Sequence, residues 1–412
     1  MYKTIKSCRI CYGAELTTVF DLGNQALTGV FPKSINQNIT NGPVQLVKCT
    51  SQGGCGLVQL KQSYDVCHMY GLNYGYRSGL NPTMVKHLHE KVAKVVSAGI
   101  LSEDDLVIDI GSNDATTLRS FPSGRFQLVG IDPTGIKFSG YYPSDIRLIS
   151  DFFTKDIINK NLGDVKAKVI TSFSMFYDLE DPVQFAREVS QVLADDGLWI
   201  MEQSYMPTML KSNSFDTICH EHLEFYALSQ IKFIVEKVGM KIKDVEFNDI
   251  NGGSFSVEII QQNSTRLCND ALIKQVLDSE KEMGLSSDLA FSEFRERISL
   301  EQDKLITFLE DCKKNGKRVA GLGASTKGNV LLQYYNLNSS LIAEIGEINE
   351  EKFGCYTPRT NIPLVPETEM LANNPEYILV LPWHFREFFL SLERLKGKKL
   401  VFALPYFQIV EC

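Results

Sequence analysis

Histidine is scarce in this chain, with six residues among 412. Basic residues are in deficit too: 42 Lys and Arg stand against 50 Asp and Glu, a formal net charge of −8. That balance speaks against a nucleic acid or an anionic membrane as partner. The densest basic stretch, Lys396-Gly397-Lys398-Lys399, suits a solvated turn or helix end. No apolar run approaches the length of a membrane span, and residues 1–20 lack the apolar core of a signal peptide. A cytoplasmic location is the default expectation. No heptad or apolar stripe points to an oligomer, so a monomer is expected. A content of 44% hydrophobic and 22% charged residues is ordinary globular material for two or three domains.

Two of the six histidines nevertheless fall within one tripeptide, in Thr217-Ile218-Cys219-His220-Glu221-His222-Leu223-Glu224. Imidazoles and carboxylates this dense are costly to bury unless they pair, bind metal or move protons. The spacing is not the His-Glu-x-x-His of a helical zinc protease. At i and i+2 the two rings would share a face on a strand and diverge on a helix. A general base, a metal site and a hydrogen-bonded structural pair all remain open on these residues alone.

Ten cysteines in a reducing compartment read as metal ligands or buried thiols rather than disulfides. Cys8-Arg9-Ile10-Cys11 is a two-residue-spaced pair, and Cys49 and Cys55 follow some forty residues later. Four thiolates would complete a tetrahedral zinc site with no open position, so the metal is expected to be structural. The second pair is wider than usual, but Gly53, Gly54 and Gly56 make a tight loop feasible. Cys67 and His68 are nearby alternatives for one ligand.

Asp105 to Leu118 reads as a buried strand ending in Asp109, a turn at Gly111 and Asn113, and a helix start. A second strand, Leu128 to Ile131, ends in Asp132, which is the pattern of a doubly wound sheet that binds ligands at its strand ends. One glycine where a dinucleotide fingerprint needs three argues against a pyrophosphate cradle. The Asp-x-Gly-x-Asn turn instead resembles the first motif of class I S-adenosylmethionine (SAM) methyltransferases. Gly111 would admit the methionine part of SAM, Asp132 would accept the ribose hydroxyls, and Asp151-Phe152-Phe153 after the next strand would bracket the adenine. Further strands are expected at Ala167–Ile170 and Gly197–Glu202, with Asp178 following the first of them.

A charge-rich helical stretch over 266–314, broken near Gly284, leads to a second strand–glycine–helix unit, Lys317 to Asn329. Its Thr326-Lys327-Gly328 order is not that of a nucleotide-hydrolysing P-loop. Exposed amides with one lysine suit a diphosphate at a helix N-terminus, whereas glycines that merely permit close packing are the plainer alternative. Pro382-Trp383-His384-Phe385 falls at a later strand end, where His384 is either core or site.

Taken in order, Cys8–Cys11, Asp21-Leu-Gly-Asn-Gln25, Cys55 to Leu60, Tyr74-Gly-Tyr76-Arg-Ser78, the Asp109–Asn113 turn, His220-Glu221-His222, Asn251-Gly-Gly-Ser254 and Gly323 to Asn329 resemble the sugar C-methyltransferases over essentially the full length. The resemblance implies an α/β protein of three parts: a small zinc-binding domain (1–72), a class I SAM methyltransferase Rossmann-like domain (73–245) and a C-terminal Rossmann-like domain (246–412) that helps hold a nucleotide sugar. It implies His222 as the base, with Glu221 and Tyr76 beside it. It places His220, Cys219, Asp178, Asn251, Lys327, Asn329 and His384 near the substrate. Many relatives carry tyrosine where this chain has Cys219 and histidine where it has Asp178.

The chemistry implied is C-methylation, at C3, of a nucleotide-linked 4-keto-6-deoxyhexose. A carbonyl at C4 acidifies the C3 proton; an imidazole removes it, and the enolate carbon attacks the SAM methyl. Tyr76 or a bound water would donate to the enolate oxygen, and Glu221 would orient a substrate hydroxyl. Methylation at another position or on oxygen, and a protein that binds both ligands without chemistry, are the competing readings.

Overall fold

A computed structural model describes residues 2–64 and 77–412. Tyr76, Cys67 and His68, named above, lie outside them.

The first domain is built on strands β1 (Tyr2–Thr4), β2 (Leu16–Ala26), β3 (Asn41–Cys49), β4 (Val58–Leu60) and β5 (Gln62–Tyr64). β1 and β5 form an antiparallel pair. β2, β3 and β4 form an antiparallel sheet whose fourth member, β11 (Glu224–Phe225), arrives from far along the chain. β2 alternates exposed and buried positions only in part, because a bulge between Asp21 and Asn24 shifts its register.

The middle domain is a seven-stranded sheet. Its strands are β6 (Leu106–Ile110), β7 (Gln127–Ile131), β8 (Ile146–Ile149), β9 (Ala167–Phe173), β10 (Leu193–Ser204), β12 (Met240–Asn248) and β13 (Ser254–Gln261), in the order β12-β13-β10-β9-β6-β7-β8. β6 to β10 are parallel, and β13 runs antiparallel between β10 and β12. All five residues of β6 are buried, as a strand covered on both faces requires. β6 pairs with both β7 and β9, so the chain reverses direction across the sheet here, where a ligand crevice opens.

The expected helix start after Gly111 is not found. Gly111, Asn113 and Ala115 have φ of 74°, 49° and 60°, and a left-handed residue at every second position precludes helix. The segment turns instead and forms only a 3-10 turn at Leu118–Ser120. The helix after β9 begins where Asp181 caps Gln184 and Pro182 occupies the first turn.

The middle sheet runs on to Gln261, so β12 and β13 straddle the 245/246 boundary drawn from sequence. The 266–314 stretch forms two helices, Asp270–Glu282 and Leu289–Lys314, with Gly284 at φ 73° between them. The last sheet comprises β14 (Val319–Leu322), β15 (Ile345–Glu347), β16 (Leu364–Pro366), β17 (Tyr377–Val380), β18 (Lys399–Phe402) and β19 (Gln408–Glu411). Its order is β16-β15-β14-β17-β18-β19, parallel except for β19. Among the described residues no helix is long and apolar enough to cross a membrane.

Candidate active site

The four cysteine sulfurs of the first domain converge, all within 4.8 Å of one another. Cys8 Sγ lies 3.5 Å from Cys55 Sγ, and Cys11 Sγ 3.4 Å from Cys49 Sγ. Sulfurs at about 2.3 Å from a tetrahedral zinc stand roughly 3.8 Å apart, so the four fit that ion. The wide second spacing is accommodated by the glycines: Gly53 and Gly56 are left-handed, and a Cβ on Gly54 would sit 2.7 Å from the Ser51 carbonyl oxygen and 3.0 Å from Cys49 Sγ. The hydrogen bond from Cys55 draws the Cys8 thiol down to about 5, whereas Cys55 itself is pushed up by that pairing and by burial. The ion takes no part in the chemistry below.

At the sheet's switch point Asp109, Gly111, Asn113, Asp132, Phe152 and Phe153 line one cavity. Asp109 is buried, accepts from Thr171 Oγ1 at 2.6 Å, and is raised to about 7 chiefly by burial. A Cβ on Gly111 would meet Met175 Cγ at 3.1 Å, so only glycine leaves the backbone open to a ligand here. Asp132 Oδ2 accepts from the Asn113 amide at 2.8 Å, and Oδ1 from the Thr134 amide at 2.7 Å. Asn113 Oδ1 in turn accepts from the Ser78 amide at 3.1 Å, which folds the segment after Tyr76 over the cavity. Phe152 is exposed at the wall, Phe153 packs on Phe185, and Asp151 lies outside the lining, accepting from the Phe152 amide. Ser174 and Met175 also line the cavity. A left-handed Ser174 (φ 54°) after β9 marks them, a signal that the sequence pattern does not show.

The His-Glu-His motif lies on a turn, neither strand nor helix, and its three side chains separate. His220 is fully buried, its ring edge-on to Tyr64 at 4.6 Å and against the backbone of Gln25, and burial lowers it to about 4. It is thus packed into the first domain. His222 Nδ1 lies 2.7 Å from the Thr217 carbonyl oxygen. A carbonyl only accepts, so Nδ1 carries the proton and Nε2 presents its lone pair. Its ring stands against Tyr177 at 4.5 Å, and burial, aided by Lys327, holds it down to about 4, so it is neutral near pH 7. Glu221 is raised by burial; the Cys219 thiol bonds to it, and its Oε2 is buried with no partner among the described residues.

The C-terminal domain closes on this turn. Lys327, in the first turn of the helix Thr326–Tyr334, donates to the Asn251 carbonyl at 2.7 Å and faces Asp216, Cys219, His222 and His384. Asn251 Nδ2 reaches Ser174 Oγ at 3.4 Å, linking this cluster to the cofactor cavity. Asp178 lines that cavity and faces Cys219. His384 is lowered to about 3 by burial, and its Nδ1 has no partner among the described residues. Asn329 is turned toward the first domain, donating to the Thr28 carbonyl at 2.7 Å, with Oδ1 buried and without a described partner. Asp216, not singled out from sequence, is buried and accepts from Trp383 Nε1 at 2.8 Å. Its place just before the motif was the available signal.

A cofactor cavity at a class I switch point, a four-thiol metal cluster and a second α/β sheet closing on one histidine turn define a SAM-dependent methyltransferase with a structural zinc. Three family models tile the chain: a zinc binding domain over 8–70, a methyltransferase domain over 84–245, and a C-methyltransferase C-terminal domain over 249–405. Together these three domains account for nearly the whole chain, and they are the domains of a SAM-dependent C-methyltransferase. The chain is 26% identical over 388 residues to the C-methyltransferase NovU of Streptomyces niveus, across 93% of this chain and 91% of NovU. Among solved structures it is similar to a SAM-dependent methyltransferase of Clostridium acetobutylicum (13% identity, 43% of this chain and 92% of that one, TM-score 0.33). It is also similar to the CcbJ methyltransferase of Streptomyces caelestis (9% identity, 42% and 89%, TM-score 0.33).

Proposed function

We propose that the protein transfers the SAM methyl to C3 of a nucleotide-linked 4-keto-6-deoxyhexose, with His222 as the base. The observation that carries this reading is the His222 ring. Its Nδ1 is committed to the Thr217 carbonyl, its ring packs on Tyr177, the neighbour of the cavity-lining Asp178, and it feels the charge of Lys327. Removal of the C3 proton by Nε2 gives an enolate that the C4 carbonyl stabilises, and the carbon then takes the methyl from SAM. In this scheme Asp109, Gly111, Asn113, Asp132, Phe152 and Phe153 hold SAM, and Asp151 stands beside the adenine.

Lys327 at a helix N-terminus, with Asn251 and His384, suits the diphosphate of the nucleotide. Glu221, whose Oε2 is buried without a described partner, suits a substrate hydroxyl. Cys219 and Asp178 shape the sugar's surroundings, whereas His220 and Asn329 pack against the first domain, and Tyr76 or a bound water donates to the enolate oxygen. Incubation with SAM and a panel of nucleotide keto-sugars, followed by NMR location of the new methyl, tests the reading. A methyl on oxygen, or no product across the panel, would reject it.

A further inference from the structure

One of the junctions between the first domain and the middle domain is made by the residues that follow His222. β11 pairs with β4, Glu224 opposite Gln59 and Phe225 opposite Val58. The Leu60 amide donates to the Leu223 carbonyl at 2.8 Å, and the Leu223 amide donates to the Tyr177 carbonyl at 2.8 Å. Leu223 is therefore clamped between the metal domain and the turn after β9.

Arg9, inside the first cysteine pair and buried, reaches the same place. It donates to the Leu60 carbonyl and to Ser63 Oγ, each at 2.7 Å, and its Nε lies 3.5 Å from the buried Glu224 carboxylate and 3.7 Å from that of Glu180. The helix Leu228–Lys237 grips both cysteine loops by their backbone: Gln230 Nε2 donates to the Cys55 carbonyl at 2.9 Å and Lys237 Nζ to the Ile10 carbonyl at 3.1 Å. The contacts that leave the first domain here reach residues within fifteen of His222 or the segment Tyr177–Glu180. Within the turn the His222 amide makes one long bond, 3.3 Å, to the Cys219 carbonyl, and its Nδ1 closes on the Thr217 carbonyl.

We propose that the zinc-holding cysteine loops anchor the turn that carries His222, with Arg9 and Gln230 as positioning residues. The metal then fixes where the base stands as well as stabilising its own domain. A misplacement of about 1 Å in a reacting group lowers a rate on the order of a hundredfold, so loss of an anchor is read in kcat. The inference rests on His222 being the base.

The test uses the zinc-loaded full chain. Arg9→Met would leave Glu224 buried without its cation and threaten the fold, so the variants are Arg9→Lys, which keeps the charge but not the fork of donors, and Gln230→Met. Zinc content, SAM affinity, amide exchange of residues 217–226, and kcat and KM for the keto-sugar are measured. Expected are one zinc per chain, SAM affinity within about twofold, faster exchange across 217–226, and kcat down about tenfold or more with KM little changed. Unchanged exchange across 217–226 in both variants, or SAM affinity falling in step with kcat, overturns the proposal. A His222→Asn enzyme that still exchanged the sugar proton would remove the base reading alone; the amide-exchange result stands apart from it.

Discussion

His222 owes its usefulness to what surrounds it. The Thr217 carbonyl fixes the tautomer, and burial keeps the ring neutral, with a pKa near 4 in place of 6.5. Burial disfavours the imidazolium, so the basic form stays populated as pH falls through 6.5 and is lost only as pH nears 4. The kcat/KM profile for the keto-sugar is accordingly expected to lack an acid inflection near pH 6.5; one found there, and abolished in His222→Asn, would contradict the burial argument. His222→Asn should lower kcat about a hundredfold or more while leaving SAM affinity within about twofold. Deuterium exchange at the sugar carbon, followed by NMR in the presence of the demethylated cofactor, separates the two: exchange at the wild-type rate would exclude His222 as the base. Gly111→Ala makes the corresponding test in the cofactor cavity. The left-handed backbone costs a side chain about 1–2 kcal/mol, and the new Cβ would press on Met175. SAM should bind about tenfold more weakly by calorimetry, roughly what 1.4 kcal/mol provides.

Among the elements, those legible in the sequence were the ones that need only local pattern. β6, β7 and β9 are short, largely apolar runs, and the four cysteines and the glycines between them are spaced as one metal site requires. What was not legible depends on partners distant in the chain. β13 reads no differently from a C-terminal-domain strand until β10 is placed beside it. β11, two residues long, is a strand only because β4 offers it an edge. His220 and His222 part because a turn, not a strand, carries them, and no periodicity reports that. The helix Thr326–Tyr334 is a middle case: its glycine turn was visible, but not that Lys327 faces the turn of Cys219 and His222. Ser325 caps it by accepting from the Gly328 amide, so the first turn stays ordered when the lysine is changed. In Lys327→Met, binding of a nucleoside diphosphate should weaken about tenfold, the loss of a charge-assisted contact of some 1.5 kcal/mol, with SAM binding unaffected. Equal nucleotide affinity in the variant, by calorimetry, would leave that helix a packing element only.

Across the whole molecule the first domain is bound to both of the others. Lys48 Nζ donates to the Ser287 carbonyl at 2.9 Å, and Arg295 Nη1 to the Val19 carbonyl at 2.7 Å. Gln333 both accepts from the Ala26 amide and donates to its carbonyl, and the Tyr356 amide donates to the Pro32 carbonyl at 2.8 Å. Phe20 packs among Phe215, Phe294 and Tyr334, so one apolar cluster spans all three domains. A metal in such a domain cannot be lost locally. Binding of a structural zinc is worth on the order of 10 kcal/mol in small metal-dependent domains, comparable with the roughly 5–15 kcal/mol by which a whole protein is stable. Chelation should therefore lower the unfolding temperature of the entire chain as one transition, with SAM binding lost along with it. Calorimetry of zinc-loaded and zinc-stripped protein decides: a small early transition that moves alone, while the main one stays, would mean that the cysteine domain melts independently and that the shared core is weaker than its contacts imply.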